Sequence, residues 1–273
     1  MRLAVTGASG FVGRHVLAEL SRRDVDVIAT ARSASGDASA DGKVRWVPLD
    51  LASPPQDVFR ALHGPDVLLH LAWGGLPNYR SPRHVEAELP AQDAFLSNAV
   101  RNGLPALVVA GTCLEYGLQS GPLAAETETR PITQYGLAKD ALRRKLQALQ
   151  MEQPYRLTWA RLFYMYGDDQ PATSLFPSLK AASAAGRKEF PMSGGEQLRD
   201  YLPVAEVARR LVELAMNPVD RGPVNVCSGR PISVRSLVEA WIAEHHWQIE
   251  PRFGELPYPD YEPMAFWGEG GQA

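Results

Sequence analysis

Cysteine is scarce in this sequence, which excludes two common ways of building a stable or reactive site. The 273 residues include two cysteines, Cys113 and Cys227, and no Cys-x-x-Cys pair. A disulfide framework or a zinc site is therefore not expected. The six histidines show no spacing typical of metal ligands. The sequence predicts no metal site.

Long apolar runs and an excess of charge of either sign are also missing. No apolar run approaches the roughly 18 residues that suggest a membrane-spanning helix, and the first residues show no signal-peptide pattern. The formal net charge is −3 and the pI about 6.1, so there is no strong basic field to hold nucleic acid or an anionic membrane. We expect a soluble, cytoplasmic protein with neither partner.

What the chain does contain is an alternation of short apolar runs with helical stretches. Strands of this kind are typical of a parallel sheet that helices cover on both faces. The predicted strands are Arg2–Thr6, 25–30, Val44–Pro48, 67–71, 106–110, Arg156–Leu162 and 224–227. The predicted helices are 12–22, 85–102, 135–149, Val204–Met216 and Val234–Glu244. This order predicts an α/β fold with a doubly wound parallel sheet.

A glycine-rich loop directly follows the first predicted strand. Residues 6–13 read Thr-Gly-Ala-Ser-Gly-Phe-Val-Gly and open a helix. Gly7 allows the tight turn, Gly10 lets the backbone approach a pyrophosphate, and Gly13 lets helix and strand pack closely. The helix N-terminus adds free N–H groups and a partial positive charge. We interpret the loop, including Ser9, Phe11 and Val12, as a dinucleotide-binding site.

The end of the second strand favours NADP over NAD, although NAD stays possible. An Asp or Glu that would bind the ribose 2′-hydroxyl is missing there, and Arg32 suits a 2′-phosphate. Arg14 could be a second anchor or an exposed helix charge. Asp50, with Leu51, could contact the adenine amino group or simply form a turn.

Composition divides the chain in two. Residues 167–198 and 229–273 are richer in Pro, Gly, Ser and aromatic residues than what precedes them. We predict a dinucleotide-binding domain over 1–166 and a small substrate-binding domain over 167–273, with 199–227 returning to the sheet.

Three residues are positioned to transfer a proton. Tyr135 and Lys139 are four apart on a predicted helix and so share a face. Thr112 follows the fifth strand, whose end meets the cofactor crevice. A lysine ammonium would lower the pKa of the tyrosine, and the threonine hydroxyl would hold a substrate oxygen. The trio would serve proton transfer at a carbinol oxygen while a hydride moves to or from nicotinamide.

With these residues in order, the chain resembles an extended short-chain dehydrogenase/reductase of the NAD-dependent epimerase/dehydratase family, which acts mostly on nucleotide-sugars. The matching positions are 6–13, 50–51, 70–72, Thr112, 116–117, Tyr135 with Lys139, Arg161, 166–167, 199–201 and 225–229. The resemblance implies that Thr112, Tyr135 and Lys139 are catalytic, that Leu71 and Ala72 border the cofactor, and that Arg199 contacts the nucleotide diphosphate. The chain departs from the family pattern at Tyr164 and Glu88, where Asn is usual.

The residues after Thr112 bear on the reaction. Family members that remove water from the sugar have an Asp-Glu pair there, whereas this chain has Cys113 and Leu114. A thiol and an alkyl group cannot supply that acid and base. Glu115 is one place too late, and on an extended strand it would face away. A 4,6-dehydratase is therefore disfavoured. An NADPH-dependent ketoreductase is favoured over an epimerase that retains NAD, and a non-catalytic NADP-binding sensor or scaffold is the alternative from another class.

Several stretches, such as 70–79 and 192–204, also resemble short reductases that convert a dTDP-4-keto-6-deoxyhexose to 6-deoxytalose or fucose. This resemblance implies a dTDP-linked sugar. The substrate-binding candidates are Trp73, Thr112, Cys113, Tyr164, Arg199, Tyr258 and Glu262. Arg80 and His84 follow the fourth strand, where exposed loop residues are expected more than pocket residues.

Two further predictions concern the outside of the sheet. Three prolines between 257 and 263 forbid regular helix, while aromatic residues favour packing, so we expect this tail to lie along the substrate cleft. The two long helices offer apolar positions that could pair across a two-fold axis, and we expect a homodimer. The positions are Ala94, Phe95, Leu96, Ala99, Val100, Leu137, Ala138, Ala141, Leu142 and Leu146.

Overall fold

The structure is a computed structural model, and it describes residues 1–32 and 43–270. The strands of these residues are β1 (Arg2–Thr6), β2 (Asp26–Ala31), β3 (Val44–Pro48), β4 (Val67–His70), β5 (Ala106–Thr112), β6 (Gly121–Leu123), β7 (Arg156–Leu162), β8 (Tyr164–Tyr166), β9 (Glu189–Met192), β10 (Leu198–Pro203), β11 (Gly222–Val226), β12 (Pro231–Ser233), β13 (Glu250–Phe253) and β14 (Phe266–Gly268). The α-helices are α1 (Phe11–Leu20), α2 (Val58–Ala61), α3 (Leu89–Arg101), α4 (Gln134–Glu152), α5 (Leu175–Ala184), α6 (Val204–Met216) and α7 (Val234–Glu244). A π-helix covers His84–Glu88, and a 3₁₀ helix covers Cys113–Tyr116.

The centre of the fold is a parallel sheet of seven strands in the order β11-β7-β5-β4-β1-β2-β3. The chain runs outward from β1 to β3 and then crosses back to β4, so the strand order reverses between β1 and β4. Such a reversal opens a crevice at the carboxyl ends of the strands, where ligands bind in this architecture. The predicted α/β doubly wound fold is confirmed.

Apolar side chains cover both faces of this sheet. One face packs against α1 and α6 through residues such as Val16 and Leu211, which are fully buried. The other packs against α3 and α4 through residues such as Phe95 and Leu142. Burying a side chain of this size stabilises the fold by about 1.5–3 kcal/mol, so both layers fix the ends of the strands that border the crevice.

A smaller layer lies beyond β8. Strands β12, β10 and β8 form a three-stranded sheet, and β13 pairs with β9. A separate apolar cluster that includes Phe176 and Trp241 joins α5 to α7. Along the chain, α6 and β11 come between β10 and β12. Helix α6 packs on the seven-stranded sheet, and β11 forms an edge of that sheet.

Some predicted boundaries were wrong. The predicted helix 85–102 is a π-helix followed by α3, with Pro90 in the first turn of α3. The predicted strand 106–110 continues to Thr112. No element was predicted over α5, whose Pro177 lies in the first turn, where proline is tolerated.

Most of the apolar positions predicted for a dimer seam face the sheet instead. Seven of the ten are buried in the core: Phe95, Leu96, Ala99, Val100, Ala138, Leu142 and Leu146. Ala94 and Leu137 are exposed, and Ala141 is half-buried. The 3.6-residue period that marks an apolar helix face cannot tell a sheet from a second subunit.

Across the described residues, no helix combines the length and the hydropathy that crossing a membrane would need.

Candidate active site

The glycine loop joins β1 to α1, and two of its glycines leave no room for a side chain. Gly7 has a φ of 68°, and a Cβ there would lie 2.8 Å from the backbone nitrogen of Ala72. A Cβ on Gly13 would lie 2.1 Å from the carbonyl oxygen of Gly7. Gly10 caps α1 without a side-chain hydrogen bond, so the first N–H groups of the helix are free for an anion. These residues fit the pyrophosphate of a dinucleotide.

The polar residues predicted to bind the cofactor near this loop, Ser9, Arg14 and Arg32, make different contacts with the protein. Ser9 accepts a hydrogen bond through its carbonyl from Arg14 Nε at 3.0 Å. Arg14 is exposed, and one of its terminal nitrogens lies 3.7 Å from Asp169. Arg32 is exposed directly after β2, and residues 33–42 that follow it lie outside the described residues.

The turn after β3 carries the two residues predicted for the adenine. Asp50 Oδ1 accepts a hydrogen bond from the backbone nitrogen of Ala52 at 3.0 Å, so its carboxylate closes a turn. Leu51 packs against the apolar cluster of the α3 and α4 face. A contact from Asp50 to adenine stays a prediction.

A cleft of about 290 Å³ opens at the carboxyl ends of the strands, next to the glycine loop. Ten of the residues predicted for the site line it: Phe11, Val12, Leu71, Trp73, Thr112, Cys113, Tyr135, Lys139, Tyr164 and Glu262. The structure therefore brings the predicted catalytic trio together with one end of the predicted cofactor site.

Thr112 is held at the last position of β5 by a capping box. Its Oγ1 accepts a hydrogen bond from Leu114 N at 3.3 Å, and its backbone nitrogen donates to Glu115 Oε1 at 2.9 Å. Glu115 is fully buried and also binds Arg161 Nε through Oε2 at 2.7 Å. The prediction that Glu115 lies on an extended strand was wrong, because a 3₁₀ helix begins at Cys113. Its carboxylate points into the core and positions Thr112.

Tyr135 lies in the first turn of α4, which Thr133 caps by accepting a hydrogen bond from Gly136 N. Its backbone nitrogen donates to the carbonyl of Tyr79, and the two rings lie 5.6 Å apart. Burial raises the pKa of Tyr135 well above its ordinary value, neighbouring Tyr79 adds to this, and the contact with Thr112 opposes it. The hydroxyl therefore keeps its proton at neutral pH.

Lys139 is fully enclosed one turn further along α4. Its Nζ donates to the carbonyl of Ala110 at 2.8 Å and lies 4.0 Å from the ring centre of Trp73. Burial lowers its pKa to about 7, with Glu115 and Glu88 opposing the shift. The lowering of the Tyr135 pKa by this lysine stays a prediction, and burial, which acts in the opposite direction, is the largest influence on the pKa of that hydroxyl.

The loop after β4 is packed against this pair. Trp73 Nε1 donates to His84 Nδ1 at 3.0 Å, and His84 Nε2 donates to Asn78 O at 2.8 Å. Glu88 accepts a hydrogen bond from Gly74 N at 3.0 Å. The expectation of an exposed His84 was wrong, because the π-helix turns it inward, where it is fully buried.

The tail reaches the cleft through part of its length. Glu262 lines the cleft, and the ring of Tyr261 lies 5.9 Å from that of Tyr79. Arg80 is exposed, as expected, and pairs with Asp260 of the tail. Tyr258 lies away from the cleft, is 39% exposed and donates to Glu196. Tyr258 therefore does not join the other substrate candidates, because the chain between it and Glu262 turns at 260–261.

Arg199 is buried behind the cleft wall. Its side chain is 3% exposed and pairs with Glu262, and it does not line the cleft. In the described structure this guanidinium pairs with a carboxylate of the same chain, and its contact with a nucleotide diphosphate stays a prediction. Cys113, next to Thr112, faces the cleft, and burial raises the pKa of its thiol.

The sequence prediction missed three polar residues of the cleft, namely Tyr79, Gln170 and Ser174. Gln170 Oε1 is buried and has no hydrogen-bond partner among the described residues. Of the three, Tyr79 alone could have been predicted from the sequence, because it is an aromatic residue in a Gly- and Pro-rich loop that follows a strand. Gln170 and Ser174 lie in a stretch without periodicity. Among the described residues, no group of three or more His, Cys, Asp or Glu side chains could hold a metal ion.

Comparison with known proteins supplies the family context. The model of the "NAD dependent epimerase/dehydratase family" matches residues 3–227. A dTDP-6-deoxy-L-talose 4-dehydrogenase (NAD(+)) of Aggregatibacter actinomycetemcomitans is 32% identical over 270 residues, which cover 98% of this chain and 99% of that relative. A dTDP-6-deoxy-L-talose 4-dehydrogenase (NAD(P)(+)) of Kitasatospora kifunensis is 28% identical over 274 residues, or 95% of this chain and 83% of that relative.

Among solved structures, MoeE5 in complex with UDP-glucuronic acid and NAD superimposes with a TM-score of 0.82 at 26% identity. The superposition covers 98% of this chain and 90% of MoeE5. The family resemblance predicted from the sequence is confirmed.

Proposed function

Because this chain belongs to the NAD dependent epimerase/dehydratase family, we propose that it reduces the 4-keto group of a nucleotide-linked 6-deoxyhexose, or catalyses the reverse dehydrogenation. One observation carries the proposal: Thr112, Tyr135 and Lys139 line one cleft beside a glycine loop that fits a dinucleotide. The names of two relatives support a dTDP-linked 6-deoxyhexose.

A bound nicotinamide cofactor would supply or take up the hydride at the sugar carbon. Tyr135 gives its proton to the carbonyl oxygen in the direction of reduction. Its raised pKa means that the hydroxyl is protonated across the neutral range. Thr112, in contact with Tyr135, holds the same oxygen, and the capping box fixes where that hydroxyl points.

Lys139 provides a polar group at the base of the cleft. Its amine is hydrogen-bonded to the carbonyl of Ala110 and packed on Trp73, so its position is fixed before a ligand enters. With a pKa of about 7 it exists in both protonation states near neutral pH. As the ammonium form it would stabilise the phenolate that Tyr135 becomes after donating.

The cofactor proposed is NADP, with NAD as the alternative. Arg32 follows β2 and is exposed, and a guanidinium binds a phosphate through paired hydrogen bonds. Arg32→Ala should then weaken NADPH binding by roughly 1.5–3 kcal/mol and leave NADH binding almost unchanged, as measured by calorimetric titration. Lys188→Ala, far along the chain and exposed, is the control. A wild-type protein that binds NADH more tightly than NADPH would contradict the NADP proposal.

The activity itself is tested by following NADPH and NADH oxidation against a panel of nucleotide-linked 4-keto-6-deoxyhexoses. We expect turnover with a dTDP-linked member and identification of the alcohol product by NMR. Interconversion of sugar epimers without net cofactor oxidation would identify an epimerase instead. Binding of cofactor with no turnover of any sugar would favour a sensor or scaffold.

A further inference from the structure

The Trp73 indole connects Lys139 to a histidine that does not line the cleft. Lys139 Nζ lies 4.0 Å from the centre of the indole ring, and the Tyr135 ring meets the indole edge-on at 5.8 Å. On its other side the indole nitrogen Nε1 donates to His84 Nδ1 at 3.0 Å. Trp73, Tyr135 and Lys139 line the cleft, whereas His84 is fully buried behind them. His84 therefore contacts the site from behind, through the indole and through the Tyr135 ring, whose centre is 5.3 Å away.

The two hydrogen-bond partners of His84 determine which ring nitrogen carries the proton. An indole N–H can only donate, and a backbone carbonyl can only accept. Nδ1 must therefore accept from Trp73, and Nε2 must donate to the carbonyl of Asn78 at 2.8 Å. A ring turned by half a rotation would lose both bonds. His84 is thus a fixed acceptor for the indole.

The two glycines that follow Trp73 pack closely against this pair. A Cβ on Gly74 would collide with the carboxylate of Glu88, and a Cβ on Gly75 would lie 3.2 Å from His84 Cε1. Gly75 also has a φ of 82°, which a residue with a side chain rarely adopts. Glu88 Oε2 accepts a hydrogen bond from Gly74 N at 3.0 Å. The loop is therefore attached to the π-helix that carries His84, and the indole is held on the same side.

The lysine amine has few partners besides the indole. Among the described residues its one hydrogen bond goes to the carbonyl of Ala110 at 2.8 Å, while an ammonium has three protons to donate. Burial favours the neutral amine and lowers the pKa of Lys139 to about 7. The titratable groups around it are Tyr135 on α4, Glu115 of the 3₁₀ helix, Glu88 of the π-helix and His70 of β4. The two glutamates favour the ammonium, and so does the face of an aromatic ring.

We propose that His84 is a positioning residue for proton transfer: its hydrogen bond to the Trp73 indole holds the ring face against Lys139, and this contact favours the ammonium form of the lysine. A cation is attracted to the face of an indole, and the attraction is stronger where water is excluded. The ammonium is the form that would stabilise the Tyr135 phenolate. The effect on turnover rests on the proposed function, whereas the contact between indole and lysine does not.

The pKa of Lys139 measures this contact without any sugar. Protein labelled with ¹³C at the lysine Cε atoms is titrated by NMR across the neutral and alkaline range. The chain has five lysines, and the Lys139 signal is the one that Lys139→Met removes. Loss of a contact that favours the ammonium lowers the pKa, so the midpoint of this signal should move to lower pH.

Four substitutions give the expected shifts. Trp73→Leu removes the aromatic face and should lower the Lys139 midpoint by about one pH unit. His84→Phe keeps a ring but not the acceptor, and should lower it by about half a pH unit. His84→Asn keeps an acceptor for the indole and should stay within about 0.2 pH unit of wild type. His245→Phe, at an exposed histidine that ends α7, is the matched control. Thermal unfolding checks that each variant is folded.

A double-substitution cycle distinguishes positioning through the indole from a general structural role. Trp73→Phe keeps an aromatic face but has no N–H, so His84→Phe should add no further shift in that background. In the reduction of a dTDP-4-keto-6-deoxyhexose, the pH at which kcat falls on the alkaline side should move lower by the same amounts. At acidic pH, where Lys139 is charged in every variant that retains it, this contribution to kcat should vanish.

Two results overturn the inference. An unchanged Lys139 midpoint in folded Trp73→Leu would show that the indole does not favour the ammonium. A shift from His84→Phe that is as large in the Trp73→Phe background as in wild type would show that His84 acts without the indole. The expected midpoint shifts in a protein that reduces no sugar would support the contact and reject the proposed function instead.

Discussion

Tyr135, the proposed proton donor, is kept protonated at neutral pH by its burial. The ring is packed between Tyr79 and Trp73, and this packing excludes water and raises the pKa of the hydroxyl. A raised pKa keeps the tyrosine protonated at neutral pH but also makes it a weaker acid, so proton transfer needs a neighbouring group that stabilises the phenolate. At the scale of the single residue, Tyr135 therefore starts in the protonated form.

Removing the hydroxyl but keeping the ring tests this role. Tyr135→Phe should lower kcat for a 4-keto-sugar by a factor on the order of 10² to 10⁴, the usual contribution of a positioned acid. Cofactor affinity should stay near wild type, because the ring contacts remain. Stopped-flow kinetics measures kcat, and titration with the cofactor measures its affinity. Tyr258→Phe, at an exposed tyrosine away from the cleft, is the matched control. Near-normal turnover in Tyr135→Phe would reject the assignment.

The buried lysine gives a prediction about stability and pH. Its pKa falls from the ordinary 10.5 to about 7 in the folded protein. Between these values the unfolded chain binds this proton and the folded chain does not, so the free energy of unfolding rises with pH. The rise is at most about 1.4 kcal/mol per pH unit. Below pH 7 the lysine is charged in both states, and the cost of burying the charge is fully present.

Lys139→Met should remove this pH dependence. We expect the difference in unfolding free energy between wild type and variant to shift in favour of wild type from pH 7 to pH 9. Urea unfolding at both pH values measures it. The change in packing around Met has the same effect at both pH values, so it cancels from the shift. A constant difference between the two proteins would mean that Lys139 titrates near its ordinary value.

At the scale of elements, the 3₁₀ helix after β5 decides where Thr112 points. Glu115 receives hydrogen bonds from Thr112 N and Trp159 Nε1 and pairs with Arg161, all without exposure to solvent. A buried carboxylate with these donors is costly to disturb, since each donor would lose its acceptor. The orientation of Thr112, which is proposed to hold the substrate oxygen, thus depends on a buried glutamate that does not line the cleft.

Glu115→Gln keeps the shape but turns one acceptor into a donor that faces Arg161 and Trp159. We expect a loss of about 3–5 kcal/mol of unfolding free energy, as for one partner removed from a buried ion pair, and a lower kcat. Glu128→Gln breaks an exposed pair with Arg130 and should cost no more than about 1 kcal/mol. Denaturant unfolding compares them. Equal effects of the two substitutions would show that the buried pair has no special role.

The sequence was sufficient for the elements that follow a regular pattern. Periodic apolar runs predicted β1, β3, β7, α6 and α7 with their observed bounds, because burial on one or both faces dictates those residues. The sequence was insufficient where a local hydrogen bond determines the backbone conformation. The capping box that ends β5 and the π-helix that buries His84 have no apolar signature. The position of the tail depends on Arg199 and Arg80, residues 63 and 180 positions away from their partners.

At the scale of the whole molecule, the homodimer stays a prediction. Fewer exposed apolar residues support it than the sequence suggested. Val85 and Leu137 are 36% and 42% exposed on the α3 and α4 side, while most of the predicted seam is in the core. If this face still pairs, wild type should sediment as a dimer at micromolar concentration and Leu137→Glu as a monomer. Leu256→Glu, at a residue that is 50% exposed just before the tail, should leave the oligomeric state unchanged. A monomeric wild type contradicts the prediction.

The central claim is that this cleft delivers a hydride to C4 of a nucleotide-linked 4-keto-6-deoxyhexose. The most direct measurement uses reduced nicotinamide cofactor deuterated at its transferable position, a dTDP-4-keto-6-deoxyhexose and NMR of the product. We predict one deuterium at C4 of the sugar for each cofactor oxidised. An unlabelled sugar, whether unchanged or epimerised, with the cofactor still reduced, would contradict the account.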